Sequence, residues 1–149
     1  MASVRVAPAF TEQGILLLTF EYDGTIVYDA SYYDGAYHNS LLNNAAQGVL
    51  VELVSDSTVG LGTDAHYPIG KLIKVEPNAC TVEVAGTIVV PYNASNSSVV
   101  PLVGRGIQVD GYGYAKTPTG GARLATERGI VLSVDSTNHL AYVLLPAAA

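Results

Sequence analysis

Lys116-Thr117, in "GYGYAKTPTGG" (111 to 121), is the pair closest to phosphate-binding machinery, in which a Gly-rich loop cradles phosphate oxygens and a lysine neutralises them. The pattern is incomplete: Ala115 precedes the lysine, the required earlier glycine is missing, and Pro118 stands where a helix should begin. The histidines His38, His66 and His139 fall in turn-like segments, and none is paired at metal-ligand spacing, so they are expected to be solvated loop residues. Asp23, Asp29, Asp34, Asp56, Asp64, Asp110 and Asp135 sit at strand ends and turns, mostly beside Gly, Ser, Ala or Tyr. Hydrogen bonding to turn backbone accounts for them without catalysis. No G-x-S-x-G elbow is present to activate a serine. Cys80 is the single cysteine, which excludes disulfides and paired C-x-x-C metal sets and suits a small buried hydrophobe better than a reactive thiol. The expectation is a chain with no catalytic, cofactor-binding or metal-ligating residues and no cofactor, and so not an enzyme.

The elements around these residues explain the emptiness. A chain of 149 residues fits one compact domain, and that length buries about 70% of the unfolded surface. Thirteen acidic against seven basic residues give a formal charge of −6, which repels nucleic acid and anionic lipid. Only 13% of residues are charged while 49% are apolar, a low charge content for a monomer that must cover its own surface. Part of that surface is therefore expected to lie against another chain. The run "GILLL" (14 to 18) is far short of a membrane span, and "MASVRVAPAF" lacks a basic start and apolar centre, so synthesis in the cytoplasm is expected. Two sequons overlap in "NASNSS" (93 to 98), which reads as a polar loop.

Secondary structure reads almost wholly as strand. "GVLVELVS" (48 to 55), "GKLIKVE" (70 to 76), "CTVEVAGTIVV" (80 to 90), "GIQVDGYGYA" (106 to 115), "GIVLSVD" (129 to 135) and "HLAYVLL" (139 to 145) are short, β-branched and bounded by turn residues. Alternation puts Val82 and Val84 on one face against Thr81 and Glu83, and Ile130, Leu132 and Val134 on one face against Ser133. Fifteen glycines and seven prolines suit many tight connections. "NSLLNNAAQ" (39 to 47) supports a helical turn or two.

Segments recur in order. "QGVLV" (47 to 51) is echoed by "RGIQV" (105 to 109), "VGLGT" (59 to 63) by "ARLAT" (122 to 126), and "GKLIKVE" by "GIVLSVD". In each copy a hairpin partner follows, "CTVEVAG" through "PNA" or "HLAYVLL" through "STN". Length differs only in the connections, as loops allow. The predicted fold class is all-β, a small barrel or sandwich of two similar hairpin units with a possible internal repeat over 47–90 and 105–146.

Residues 1–13 read as an N-terminal arm with apolar anchors Val4, Val6 and Phe10, ahead of a single β domain over 14–149. "FEYDGTIVYDASYYDGAYHN" (20 to 39) holds five of the ten tyrosines, and Asp23-Gly24 sits between "ILLLTFEY" and "TIVYDASY" as a hairpin turn would. Tyr22, Tyr28, Tyr32, Tyr33 and Tyr37 suit a protein interface, or equally cross-strand aromatic pairing.

Two resemblances follow. "GIQVDGYGY" (106 to 114) resembles the substrate-binding hairpin of trimeric dUTP pyrophosphatases, with Asp110 at the water-activating position and Tyr112 at the stacking position. The chain lacks that family's Ala-Gly-x-Asp-Leu metal motif, Gly-Arg-Ser phosphate loop and Gly-rich Arg-Phe tail. "TVGLGTDAHYPIGKLIKVEPNACTVEVAGTIVVP" (58 to 91) and "ARLATERGIVLSVDSTNHLAYVLLP" (122 to 146) resemble the small β-barrel of capsid decoration, or cement, proteins of tailed bacteriophages. This resemblance implies a non-enzymatic virion protein on the outer capsid surface that bridges and stabilises major capsid subunits. It implies a homo-oligomer, usually a trimer, with an arm lying on the shell; the apparent second copy of the unit allows a dimer. Two alternatives remain open: a carbohydrate- or ligand-binding barrel with the clustered tyrosines around a groove, and a tail or baseplate component.

Overall fold

The computed structural model describes residues 15–28 and 48–146. The arm, with Val4, Val6 and Phe10, lies outside the described residues, as do Tyr32, Tyr33, Tyr37, Asp29, Asp34, His38 and the helical candidate at 39–47.

The described chain is all-β. Its strands are β1 (Leu16–Tyr22), β2 (Leu50–Ser55), β3 (Thr58–Gly60), β4 (Gly70–Val75), β5 (Cys80–Pro91), β6 (Gln108–Val109), β7 (Ala115–Lys116), β8 (Ile130–Asp135) and β9 (Leu140–Leu145). Five of them close into a barrel in the order β1-β3-β2-β4-β5, with β5 returning to β1. β1 runs parallel to β3 and antiparallel to β5. Closure removes exposed sheet edges, which otherwise invite aggregation.

A second, less regular ring shares β5. Its later half, Gly86–Pro91, pairs with β9, and β9 pairs with β8. Residues 104–107 then line β8: Gly104 N–H donates to Val131 O at 2.9 Å, and Val131 N–H to Arg105 O at 2.7 Å. β6 pairs with β7, and a parallel bridge from Ala115 to Tyr92 leads back to the end of β5.

Each ring has its own core. Ile26, Val49, Val51, Val59, Leu72, Val75, Cys80, Val82 and Val84 fill the first. Leu50, Ile88, Val90, Ile107, Val109, Ala115, Val131, Ala141, Val143 and Leu145 fill the second. β2 faces both, because Leu50 points into one ring and its neighbours Val49 and Val51 into the other. The continuous apolar run "VLV" therefore signals a strand buried on both faces.

The hairpins of the two rings match residue for residue. β4 and β5 pair Lys71↔Glu83, Leu72↔Val82, Lys74↔Thr81 and Val75↔Cys80, with a bulge between Leu72 and Lys74. β8 and β9 pair Ile130↔Leu144, Val131↔Val143, Ser133↔Tyr142 and Val134↔Ala141, with the bulge at the same step. The glycine that opens each first strand has the same cause. A Cβ on Gly70 would stand 2.1 Å from Glu83 O, and one on Gly129 would stand 2.6 Å from Leu144 O, and those two carbonyls occupy equivalent places. Ladders to the preceding segments agree as well: Leu72 N–H donates to Val49 O, and Val131 N–H to Arg105 O. Val49 thus corresponds to Arg105, two residues from where aligning "QGVLV" with "RGIQV" would put it. A two-residue slip keeps every side chain on its face.

Three sequence expectations are corrected. The segment 106–115, read as one strand, is a hairpin of β6 and β7 whose turn is held by Asp110 Oδ1 accepting the Tyr112 and Tyr114 amides. Asp23-Gly24 is a turn, but among the described residues no hairpin partner follows it. The chain instead drops Ile26 into the first core while Asp23 Oδ1 accepts Thr25 N–H at 2.9 Å, and β1 takes its partners from β3 and β5. In β8 the inward residue is Val131, fully buried, while Ile130 and Leu132 are 44% and 48% exposed. The bulge breaks the two-residue period, so Val134 faces the core as expected and Ile130 and Leu132 do not.

Arg128 fastens the rings together. Its guanidinium donates to Ile69 O ahead of β4, to Val84 O of β5 at 2.6 Å and to Pro146 O after β9 at 3.4 Å, and it lies 6.0 Å from the Tyr67 ring centroid. No other side-chain type offers so many donors in a fixed fork. Arg128→Met is expected to lower stability by about 2 kcal/mol or more, because it leaves half-buried carbonyls without donors. Arg128→Lys should recover less than half of that loss. Urea unfolding of the three proteins measures this, and an unchanged midpoint for Arg128→Met would remove Arg128 from this role.

Candidate functional site

The matched hairpins share a backbone but differ in what they present outward. At the outward positions β4 and β5 carry Lys71, Lys74, Thr81 and Glu83, whereas their equivalents on β8 and β9 are Ile130, Ser133, Tyr142 and Leu144. Ile73 and Leu132 occupy the bulges, both exposed. The first face is a half-buried charge pattern, with burial raising the carboxyl of Glu83 and lowering the ammonium of Lys71 from their ordinary values. The second is apolar. Ile130 lies directly opposite Leu144, itself 38% exposed, and Thr87 and Val89 of β5 continue the face. Contiguous exposed apolar residues on a sheet mark contact surfaces more often than scattered single ones do.

The border of this face is built by a buried ion pair. Glu127 is 3% exposed; its Oε1 accepts from Arg105 Nε at 3.0 Å and from Gly106 N–H at 3.1 Å, and its Oε2 accepts from Arg105 Nη2 at 2.6 Å and from Leu124 N–H at 3.0 Å. Arg105 Nη1 also donates to Gly120 O and Gly121 O. Burial by itself would raise the Glu127 carboxyl, but the hydrogen bonds from Arg105, Leu124 and Gly106 together hold it below the ordinary glutamate value. The cluster pins residues 102–106 against β8 and leaves Leu102, Val103 and Leu124 exposed beside it.

A second exposed apolar set lies on β1. Ile15, Leu16, Leu17 and Leu18 are all exposed, although Leu18 pairs with the fully buried Val82. Tyr22 and Tyr28 are placed differently from these leucines. Both are partly buried against the first core, and Tyr22 Oη donates to Glu76 O at 2.7 Å and Pro77 O at 2.9 Å, closing the β4–β5 turn against the end of β1. Their aromatic area serves the barrel.

The residues weighed for chemistry are occupied locally. Asp110 Oδ1 accepts the amides of Tyr112 and Tyr114, and Asp135 Oδ1 those of Thr137 and Asn138. Asp64 pairs with Lys116 at 2.6 Å, and Thr117 Oγ1 donates to Gly106 O at 2.7 Å inside the second ring. His66 is more constrained than a solvated loop histidine, since its Nδ1 lies 2.7 Å from Glu52 Oε2, and His139 packs edge-on against Tyr92. Cys80 is buried, and desolvation pushes its thiol up to about 11, away from thiolate chemistry. Among the described residues no three His, Cys, Asp or Glu side chains gather as metal ligands.

No protein-family model matches the chain. No curated protein sequence matches it either. Among solved structures it is similar to the N base of the head fibre gp8.5 of bacteriophage phi29, with a TM-score of 0.49 and 12% identity over 88% of this chain and 93% of that chain.

The apolar face carries residues that alternation alone assigned to the core. Aligning the two hairpin segments would have found them, because that alignment sets Ile130 on Lys71 and Leu132 on Ile73. Ile130→Lys with Leu144→Glu installs on the second hairpin the charge pair of the first. The double variant is expected to fold with stability within about 1 kcal/mol of the parent and to bind less of a hydrophobic dye. Unchanged dye fluorescence would show that the dye-binding surface lies elsewhere.

Acid titration tests the ion pair. The folded-state pKa of Glu127 is lowered, so its stabilising contribution is complete above the unfolded value of about 4.3 and is lost as pH falls through the folded value. The parent should lose stability relative to Glu127→Gln as pH drops below about 4.3. Parallel urea midpoints for the two proteins across that range would contradict the assignment.

Proposed function

We propose that the protein is a structural component of a phage virion that decorates the outer capsid surface, bridging major capsid subunits and stiffening the shell by adhesion rather than by turnover. One observation carries this reading: two hairpins with the same register and the same bulge expose Lys and Glu in one copy and Ile, Leu and Tyr in the other. The backbone imposes neither choice. The apolar copy is a surface suited to burial against a partner.

Other features support it. The first ring closes through β1, which bonds β5 along Leu16–Phe20 and β3 at Glu21 and Tyr22, and Arg128 ties the rings into one unit. A face held in fixed geometry loses little side-chain or loop entropy on docking, so modest apolar area still yields useful affinity. Repetition over a shell then multiplies the effect. The exposed leucines of β1 follow directly on residues 1–14, and in this proposal arm and strand form a second contact. The partners are the major capsid protein and further copies of this chain, as a trimer or dimer, and the site of action is the outside of the head.

Co-sedimentation with empty phage heads that lack their own decoration protein tests the proposal. The intact chain should pellet with the shells, the Ile130→Lys, Leu144→Glu variant should bind at least tenfold less, and a chain lacking residues 1–13 should bind more weakly than the intact one. An intact chain that remains in the supernatant, or that is found only on tails in purified particles, would overturn it.

A further inference from the structure

A cleft of mixed polar and apolar lining opens on the second ring, on loops and not on the adhesive sheet face. It has a volume of about 340 Å³ and is walled by three loops: the one carrying Asp64, the "NASNSS" loop with Asn93 and Asn96, and the β6–β7 hairpin with Asp110, Tyr112 and Lys116. Neither the adhesion proposed above nor the packing of the rings uses it.

Each polar side chain in the wall is fixed at one atom and open at another. Asn93 Oδ1 accepts Ser95 N–H at 2.9 Å, and Asn96 Oδ1 accepts Ser98 N–H at 3.2 Å and Ser98 Oγ at 2.7 Å. Asp110 Oδ1 is taken by the Tyr112 and Tyr114 amides, and Asp64 Oδ1 by Lys116 Nζ. Among the described residues, the Nδ2 groups of both asparagines and the Oδ2 atoms of both aspartates make no hydrogen bond. The cleft thus offers fixed donors and fixed acceptors together, already oriented before any ligand arrives. At its mouth the Tyr112 ring is 76% exposed, the most exposed large hydrophobic side chain among the described residues.

Ligand chemistry follows from that set. Sugar hydroxyls both donate and accept, and adjacent pairs of them match an amide or a carboxylate edge, while the C–H face of a pyranose rests on an aromatic ring. Two carboxylates against one lysine, itself paired, disfavour phosphate, nucleotide or acidic sugar. The lining is mixed, with Val99 and Ala115 beside the polar groups, as suits a ligand that has both hydroxyls and C–H faces. We propose that this cleft binds a neutral oligosaccharide, with Tyr112 as the stacking platform and Asn93, Asn96, Asp64 and Asp110 reading the hydroxyls. The site differs from the tyrosine groove suggested by the sequence, whose Tyr22 and Tyr28 pack on the other ring.

Amide chemical-shift titration of the intact chain tests this with chitotriose and maltotriose as neutral probes and sialyllactose as the anionic one. Shifts are expected at Asp64, Asn93, Asn96 and 110–116 for at least one neutral sugar, with a dissociation constant of about 1 mM, and at least tenfold weaker binding of sialyllactose. Tyr112→Ala should weaken binding at least tenfold, and Asp110→Asn, which keeps the turn acceptor, should reduce the preference against sialyllactose. The Ile130→Lys, Leu144→Glu variant should bind sugar as the parent does, so a failure of capsid adhesion and a failure of sugar binding are read separately. Absence of shifts at the cleft on the order of 10 mM of either neutral sugar, or equal binding by Tyr112→Ala, would overturn the assignment.

Discussion

One long strand constrains everything else. β5 must satisfy β1 and β4 with its first half and β9 with its second, so both rings inherit their position from the same backbone. Val82 and Val84 fill one core and Ile88 and Val90 the other, and between them the strand passes from ring to ring where Val84, Ala85 and Gly86 are all buried. A single register error in β5 would turn four core valines and isoleucines toward solvent at once. The strength of that requirement makes the scaffold specific with a single cysteine and no internal disulfide. Arg128, which reaches backbone of the first ring, of β5 and of the chain after β9, adds a directional fastening where hydrophobic packing supplies none.

Because the hydrogen-bonding needs of the backbone are met inside the rings, outward side chains are free of structural duty. The comparison between Lys71 and Ile130, or Glu83 and Leu144, isolates that freedom, since backbone, register and bulge are the same. The physical difference is desolvation. Charges at those places would oppose burial against a partner, while Ile, Leu and Tyr favour it. The ion pair of Arg105 and Glu127 is a different use of charge, turned inward, where each carboxylate oxygen has two donors and the loop carrying Leu102 and Val103 is held in place. Such a pair fixes geometry more than it adds stability.

The polar groups that remain open lie on loops, not on the apolar sheet face. The cleft formed by Asp64, Asn93, Asn96, Asp110, Tyr112 and Lys116 uses short loops stiffened by their own side-chain hydrogen bonds. Loops on a rigid barrel are where recognition groups can vary without disturbing a core.

Much of this was legible in the sequence. Most strand positions, the all-β class, the likeness of the two hairpin segments and the turn roles of Asp23, Asp110 and Asp135 follow from local rules: two-residue periodicity, β-branched content and backbone-seeking carboxylates. Local rules also misplaced Ile130 and Leu132, because a bulge inserts one residue without any mark in the sequence, and they ran 106–115 together as one strand where Asp110 holds a turn. The sequence leaves Tyr22 open between an interface and cross-strand aromatic pairing, because composition cannot say whether a ring lies outside a barrel or plugs its end. The sequence by itself determined which stretches become strands, since that depends on neighbours along the chain, whereas the need for glycine at 70 and 129 comes from the facing carbonyls of Glu83 and Leu144. Only the tertiary structure decided which face of β8 meets water, that β2 and β5 serve two cores, and that Asp64 meets Lys116 across the cleft, because these depend on contacts between segments far apart in sequence.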